Sequence, residues 1–409
     1  MRLLVLAYFF PPDLSAGSFR MASLVPALAT AEPPPGAGPL AIDVLTTLPN
    51  RYATFSAAAP EVEERGAVTV RRFPLPPHAS GLADQCRSFA AYARAVSRHV
   101  RRKRYDLVFA TSSKLMTAVL GSRIARRQGV PLYLDIRDIF VDTIGDMFPG
   151  WKARIAKPLF SAVERYAFGR AARINLVSEG FRDYFAARYP RVPLSFHTNG
   201  IDPEFLEAAA IPTDASASPA ARSRLRVVYA GNMGEGQGLH HVIPALARRL
   251  ADRVEFVLVG DGGRRSALEA ALAAASCTNV EIRRPVERKA LIATYRDADV
   301  LFLHLNDLDA FEKVLPSKIF EYAALGKPIW AGVRGHAADF LTREVENAAV
   351  FPPCDVEAAV AALDRLRLAA TPRAAFVAKY SREAICRQMA AEILATGQPR
   401  PSSLSQRST

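Results

Sequence analysis

In the stretch LPSKIFEYAALGKPI, residues 315–329, a lysine and a glutamate stand three apart where a helical run begins. Lys318 and Glu321 therefore share one helix face and offer one positive and one negative charge on a rigid frame. Pro316 sets the entry angle, and Ser317 supplies a hydroxyl and an N–H at the start. The plainer reading is a surface ion pair, which contributes only about 0.2–0.5 kcal/mol. A second feature argues for more. YAGNMGEGQGLHH, residues 229–241, holds glycines at 231, 234, 236 and 238. That spacing fits neither the dinucleotide fingerprint nor the lysine-bearing P-loop. It does suit a turn that delivers backbone N–H groups to a helix start, an arrangement that binds phosphate without a lysine. A simple strand-to-helix turn is the alternative. PPDLSAGSFR, residues 11–20, is the N-terminal counterpart: Gly17 lets a ligand approach the backbone, Ser18 adds a polar group, and Arg20 reaches an anion or lies on the surface.

These residues need elements to hold them. The 409-residue chain is long enough for about two domains. RLLVLAYFF is a continuous apolar run, as expected of a strand buried on both faces. AIDVLTTL, VTVRRFPL, YDLVFATS, PLYLDIRD and ARINLVSEG read as further strands, with SFHTNGID as a last short one. Helical stretches are expected at 86–103, 114–128, 153–170 and 180–188. The strand pattern restarts at LRVVYAGN and continues through RVEFVLVGDGG, VEIRRPV, DVLFLHL and KPIWAGV. Repeated strand–helix units imply an α/β fold of two Rossmann-like domains with parallel sheets. The expected boundaries are 1–205, an Ala/Ser/Pro-rich linker at 206–224, 225–373, a C-terminal helix at 374–396 that crosses back, and a disordered tail at 397–409.

A net charge of +13 predicts an acidic partner. Nucleic acid is disfavoured, because no recognised module appears and aromatics do not alternate with basic residues on a strand. RSFAAYARAVSRHVRRKR, residues 87–104, has no acid. At helical spacing Phe89, Ala93, Val96 and Val100 share one face, while Arg94, Arg98, Arg101 and Arg102 fall on another. With Lys103, and with Trp151 and its basic neighbours in MFPGWKARIAKPLF, this suits docking on an anionic membrane surface. A helix packed on its sheet with a solvated basic face is the other reading. No apolar run reaches the roughly 20 residues that span a bilayer. Pro11-Pro12 ends the first run like a strand leaving a sheet, which argues against a signal peptide. Four scattered cysteines suggest neither zinc nor a disulfide framework, and a cytoplasmic setting fits best. His197, His240 and His241 receive no role.

Several segments together carry a resemblance: YFFPPDLSAGSFR, DIRD at 135–138, LVSEGFRDYF at 177–185, NGID at 199–202, YAGNMGEGQGL and LPSKIFEYAALGKPI. The chain resembles the retaining glycosyltransferases of family 4, which have the GT-B architecture of two Rossmann-like domains facing a central cleft. It is most similar to the bacterial subgroup that builds surface polysaccharide. The resemblance implies a nucleotide-sugar donor, usually a UDP-sugar, held by the C-terminal domain, and a lipid-linked or glycan acceptor on the N-terminal domain. It implies that Glu321 accepts hydrogen bonds from ribose hydroxyls and that Lys318 meets the diphosphate. Ser317, Gly17, Ser18, Asn232, Gly234, Gln237 and Arg284 complete the expected donor set. The family pattern has a first glutamate eight positions before the second; here Lys313 stands there and Glu312 is one residue off. Asn232 and Gln237 occupy the region of the usual phosphate-binding Arg and Lys.

DIRD ends a predicted strand, so Asp138 is placed to orient or deprotonate an acceptor hydroxyl, with Arg20, Arg137 and Glu179 beside it. An Arg137–Asp pair bracing the loop is the alternative. Asp297 and Asp299 have metal-pair spacing but precede a strand, so neither a metal nor a cofactor is expected. The predicted setting is peripheral, on the inner face of the plasma membrane. Two rival readings share the architecture: a UDP-sugar 2-epimerase and a non-catalytic partner subunit.

Overall fold

The computed structural model describes residues 1–13, 15–49, 58–76, 82–112, 114–141, 151–210 and 223–398. The chain divides into two compact units. The first comprises Met1–Val177, Arg182–Thr198 and the described residues from Glu383 onward; the second comprises Ser178–Phe181 and Asn199–Arg382.

In the first unit eight strands form one sheet: β1 (Arg2–Leu6), β2 (Ala41–Thr47), β3 (Val62–Arg65), β4 (Val68–Phe73), β5 (Leu107–Thr111), β6 (Leu132–Ile136), β7 (Arg173–Leu176) and β8 (Leu194–Ser195). Their order is β3-β4-β2-β1-β5-β6-β7-β8. Every pairing is parallel except β3 with β4. β5 and β6 are buried at every position, the burial that a continuous apolar run anticipates. β3, sequence VEER, was not expected: it is a polar, largely exposed edge strand without apolar alternation. β1 stops at Leu6, short of the whole RLLVLAYFF run, and residues 7–10 are buried without strand pairing.

The second unit carries β9 (Leu225–Asn232), β10 (Val254–Asp261), β11 (Val280–Arg283), β12 (Val300–His304), β13 (Ile329–Gly332) and β14 (Ala348–Phe351), all parallel in the order β11-β10-β9-β12-β13-β14. Strand order reverses direction around β1 in one sheet and around β9 in the other. Ligands of open α/β sheets bind beyond the carboxyl ends of such strands, so the loops after β1 and β9 are the places to examine.

Three details differ from the sequence expectations. Residues 206–210 complete the helix Pro203–Ala210, anchored by Phe205, whose ring stacks on Tyr295 at 6.2 Å; 211–222 of the expected linker lie outside the described residues, as do 399–409 of the tail. Ser178–Phe181 joins the second unit because Ser178 Oγ donates to the Lys313 carbonyl at 2.6 Å. The C-terminal stretch is two helices, Ala374–Lys379 and Arg382–Thr396. From the second, Cys386, Met389, Ala390, Ile393 and Leu394 enter the core that also contains Leu3 and Val5 of β1 and Phe109 of β5.

Candidate functional site

The helix Lys318–Ala324 is short because Pro316 precedes it and Gly326, at φ 68°, follows it. Ile319, Phe320, Tyr322, Ala323 and Ala324 are buried. Lys318 and Glu321 are thereby left together on the remaining, half-buried face. Ser317 makes no side-chain cap, so its expected helix-start hydroxyl contact is absent; the backbone carbonyl of Ser317 accepts from the Phe320 amide instead, at 3.1 Å.

Lys318 reaches the Gly-rich turn. Its ammonium lies 5.6 Å from the Tyr229 ring centroid, within cation–π range. It also rests against Gly231, the penultimate residue of β9, where an added Cβ would overlap Nζ and Cε of Lys318. Gly231 has φ 147°, a conformation L side chains rarely adopt. The glycine is thus favoured by its backbone conformation, and it leaves the space in which the end of the lysine side chain lies. Lys318 and Glu321 each keep some solvent contact, yet the protein crowds them. Desolvation lowers the Lys318 ammonium from its ordinary range, with Glu321 opposing. Desolvation also raises the Glu321 carboxyl, while Arg288 and then Lys318 draw it back.

The rest of the turn is braced from within. Gln237 Oε1 accepts from Asn232 Nδ2 at 2.7 Å and from the Gly234 amide at 3.3 Å. The Gln237 amide donates to the Gly234 carbonyl and the Gly238 amide to that of Glu235. Asn232, Gln237 and three of the amides expected to face a phosphate are therefore occupied by one another. Gly236 makes room for Phe311, whose ring a Cβ would meet at 2.6 Å.

From the end of β12, His304 clamps the same turn. Fully buried, it donates from Nδ1 to the Gln237 carbonyl at 2.7 Å, while Nε2 accepts from the Cys354 amide at 3.0 Å. Burial pushes this imidazole down to about 4, so it is neutral at pH 7. Asn306 adds a bond from Nδ2 to the Glu235 carbonyl at 2.9 Å.

Sequence reasoning did not single out His304 or Asn306. Nor did it single out a charge cluster near Glu321, in which Asp202 pairs with both Arg288 and Arg382. The signal present was NGID, whose aspartate is Asp202. Arg284 is exposed and follows β11, which β10 separates from β9. Glu312 is held by Arg334, which also binds Asp307 and Asp309. Asp297 and Asp299 engage Arg226 near the amino end of β9, away from the turn.

In the first unit, Gly17 and Ser18 are buried inside the helix Ala16–Thr30, and the Ser18 amide already donates to the N-cap Ser15 Oγ at 3.2 Å. Arg20 is fully buried and corrects the expectation that it meets an acceptor. Its Nε and Nη2 grip Asp135 at 3.0 Å each, Nη1 donates to the Thr198 carbonyl at 2.8 Å, and Nη2 donates to that of His197 at 2.7 Å. Asn175 Nδ2 and Thr111 Oγ1 also donate to Asp135. Burial works against this carboxylate, but the Arg20 and Arg137 guanidiniums hold it below its usual range.

Past β6, the Arg137 amide donates to Ser112 Oγ at 3.1 Å. Asp138 is accessible at the surface, yet desolvation by the protein around it pushes the carboxyl up to about 6, with Arg137 pulling the other way. Glu179 lies in the short 3-10 turn Glu179–Phe181 of the second unit, near His336.

The basic helix spans Leu82–Val100 and buries Phe89, Tyr92, Val96 and Val100. Arg94, Arg98, Arg101 and Arg102 are exposed. Lys103 is not part of that free face: its Nζ donates to Asp43 at 2.9 Å. The Trp151 side chain lies outside the described residues. Among the described residues no helix is long and apolar enough to cross a membrane.

Residues 30–200 match the glycosyl transferase 4-like domain, and residues 224–367 match the glycosyl transferases group 1 domain. A 2-deoxystreptamine glucosyltransferase of Streptomyces kanamyceticus is 29% identical over 238 residues, covering 53% of this chain and 58% of that protein. The match therefore spans less than two thirds of the Streptomyces protein. WcaI of Escherichia coli K12, a putative colanic acid biosynthesis glycosyl transferase, is 27% identical over 278 residues, 64% of this chain and 67% of that one. The Anabaena protein HepE, solved in complex with UDP-glucose, superposes with a TM-score of 0.69 at 16% identity, covering 97% of this chain and all of the other. The two parallel-sheet units are those of the GT-B fold.

Proposed function

We propose that this chain, with its two glycosyltransferase-type domains, moves a sugar from a nucleotide-sugar, a UDP-sugar, to a lipid-linked or surface-glycan acceptor, with retention and without a metal. The observation that carries the reading is the seating of Lys318 on Gly231 at the carboxyl end of β9, with Glu321 one turn further on. The naming of HepE's ligand and of WcaI's pathway supports the donor class and the surface-glycan context.

Departure of a nucleoside diphosphate builds negative charge on its β-phosphate. In this reading the Lys318 ammonium, already desolvated, meets that charge, and a preorganised donor of this kind is worth about 10²–10³ in rate. Glu321 accepts the ribose hydroxyls, with Arg288 favouring its ionised form. On the first unit Asp138 takes the acceptor proton. A carboxyl raised to about 6 is a better base near neutrality than an ordinary aspartate. The exposed Arg98, Arg101 and Arg102 draw the chain to an anionic bilayer, each basic side chain contributing about 1 kcal/mol near the surface.

The test is a panel of nucleotide sugars presented to the purified chain with and without a lipid-linked acceptor. One UDP-sugar should raise the melting temperature and yield UDP and an extended glycan. An epimer formed without acceptor assigns the chain to the isomerases instead, and no stabilisation by any nucleotide sugar overturns the reading. Reversing the charges at 98, 101 and 102 should release the chain from anionic vesicles, as co-sedimentation reads, while turnover of a soluble acceptor persists; unchanged vesicle binding removes the membrane part.

A further inference from the structure

Beside the Gly-rich turn stands a group that the proposed reaction does not use. Glu235 opens the 3-10 turn Glu235–Gln237, and His240 and His241 lie in the first turn of the helix Leu239–Arg249. The Glu235 carboxylate oxygens lie 3.9 Å from His240 Nε2 and 3.8 Å from His241 Nε2. The two imidazole rings sit 3.9 Å apart by centroid, and one ligand atom from each of the three residues falls within 4.8 Å of the others. Ligands around a tetrahedral zinc at about 2.0–2.2 Å stand roughly 3.3–3.6 Å from one another. Each imidazole is thus a few tenths of an ångström too far from its nearer carboxylate oxygen, and the widest separation in the trio must close by up to about 1.2 Å. His241 and Glu235 are half-exposed, so solvent reaches the position and can supply a fourth ligand.

We infer that Glu235, His240 and His241 form a binding site for a divalent transition-metal ion of the zinc type. Two imidazoles and one carboxylate suit zinc, cobalt or nickel and disfavour magnesium or calcium, which take oxygen ligands. The turn is already fixed on its far side: Asn306 holds the Glu235 carbonyl and His304 the Gln237 carbonyl. A metal would fix its near side to the helix, stiffening the segment that begins at Gly231. Arg264 is the competitor. It pairs with Glu235 and must share or release that carboxylate.

The experiment titrates zinc into the metal-stripped full-length chain by calorimetry, without nucleotide or acceptor, so its outcome is independent of the glycosyl-transfer reading. One zinc per chain should bind and raise the melting temperature. His240→Ala with His241→Ala should weaken that binding more than tenfold while leaving the metal-free melting temperature within a few degrees. Arg264→Ala should tighten binding several-fold by freeing Glu235. Zinc binding of equal strength in the double-histidine variant places the ion elsewhere and overturns the proposal, as does the absence of binding in the wild type. The same ion in cobalt form should give the visible absorption of a tetrahedral centre; an octahedral spectrum counts against the site.

Discussion

The turn after β1 and the turn after β9 occupy equivalent places, each beyond a middle strand of its sheet, and each combines glycine with a cation. They use them in opposite ways. After β1, the cation is Arg20, from the same turn's own helix, and it points inward to complete a buried network around Asp135. After β9, the cation is Lys318, brought from a distant helix, and it rests half-buried on Gly231. Asp135 grips Arg20 directly, whereas among the described residues no carboxylate is within ion-pair distance of Lys318, though Glu321 acts on it from one turn away. Proximity in sequence to a glycine says little about such pairing.

The contrast breaks first at Arg20. Arg20→Ala strands Asp135 as a buried charge, and loss of one partner of such a pair costs about 3–5 kcal/mol. Urea unfolding should read a loss of that size, and Arg20→Ala with Asp135→Asn should recover part of it. A loss under 1 kcal/mol would show that the first turn is not built around this pair. Lys318→Ala should do the reverse: stability close to wild type, with glycosyl transfer reduced about 10²–10³-fold. A fold-level collapse in place of a rate effect would make the two turns alike.

Acid should separate the regions next. His304 takes a proton at about 4 in the folded chain and near 6.5 when unfolded. The unfolded state therefore binds more protons between those values. The stability that His304 contributes, about 3 kcal/mol, is present above pH 6.5 and declines as pH falls toward 4. Denaturation curves across this window should flatten in His304→Gln relative to wild type; parallel curves would remove His304 as the clamp of the second turn. The smallest effect is Gln237→Ala. It deletes the acceptor shared by Asn232 and Gly234 and should cost about 1 kcal/mol. Melting temperature should fall by a few degrees and UDP-sugar affinity several-fold. Unchanged affinity would separate bracing of the turn from binding by it.

Much of the fold was legible because buried parallel strands leave apolar runs in the chain: β5, β6, β10 and β12 all stand where LVFAT, LYLDI, VEFVLVGD and VLFLH announced them. β3 was not, since VEER at an edge carries no such run. The spacing of Lys318 and Glu321 placed them on one helix face, a local property. Where Arg20 would point was unreadable, because its partner Asp135 belongs to β6 and only the folded sheet brings them together. Gln237 and Asn232 were legible as polar residues in a turn but not as each other's partners. His304 looked like any residue ending an apolar strand. Its use depends on Cys354 and Gln237, from two other segments.

The helix Arg382–Thr396 seals the apolar flank of β1. On the ribosome β1 must wait for a helix that lies far downstream in the chain. Until then, Leu3, Val5 and Phe109 lack Met389, Ile393 and Leu394, the side chains that cover them. A polypeptide released early, or clipped ahead of residue 382, would keep a sticky flank and invite chaperones or proteases. Burial of the first strand is thus tied to synthesis of a segment far downstream, since that flank is covered only once residues 382–396 have been made.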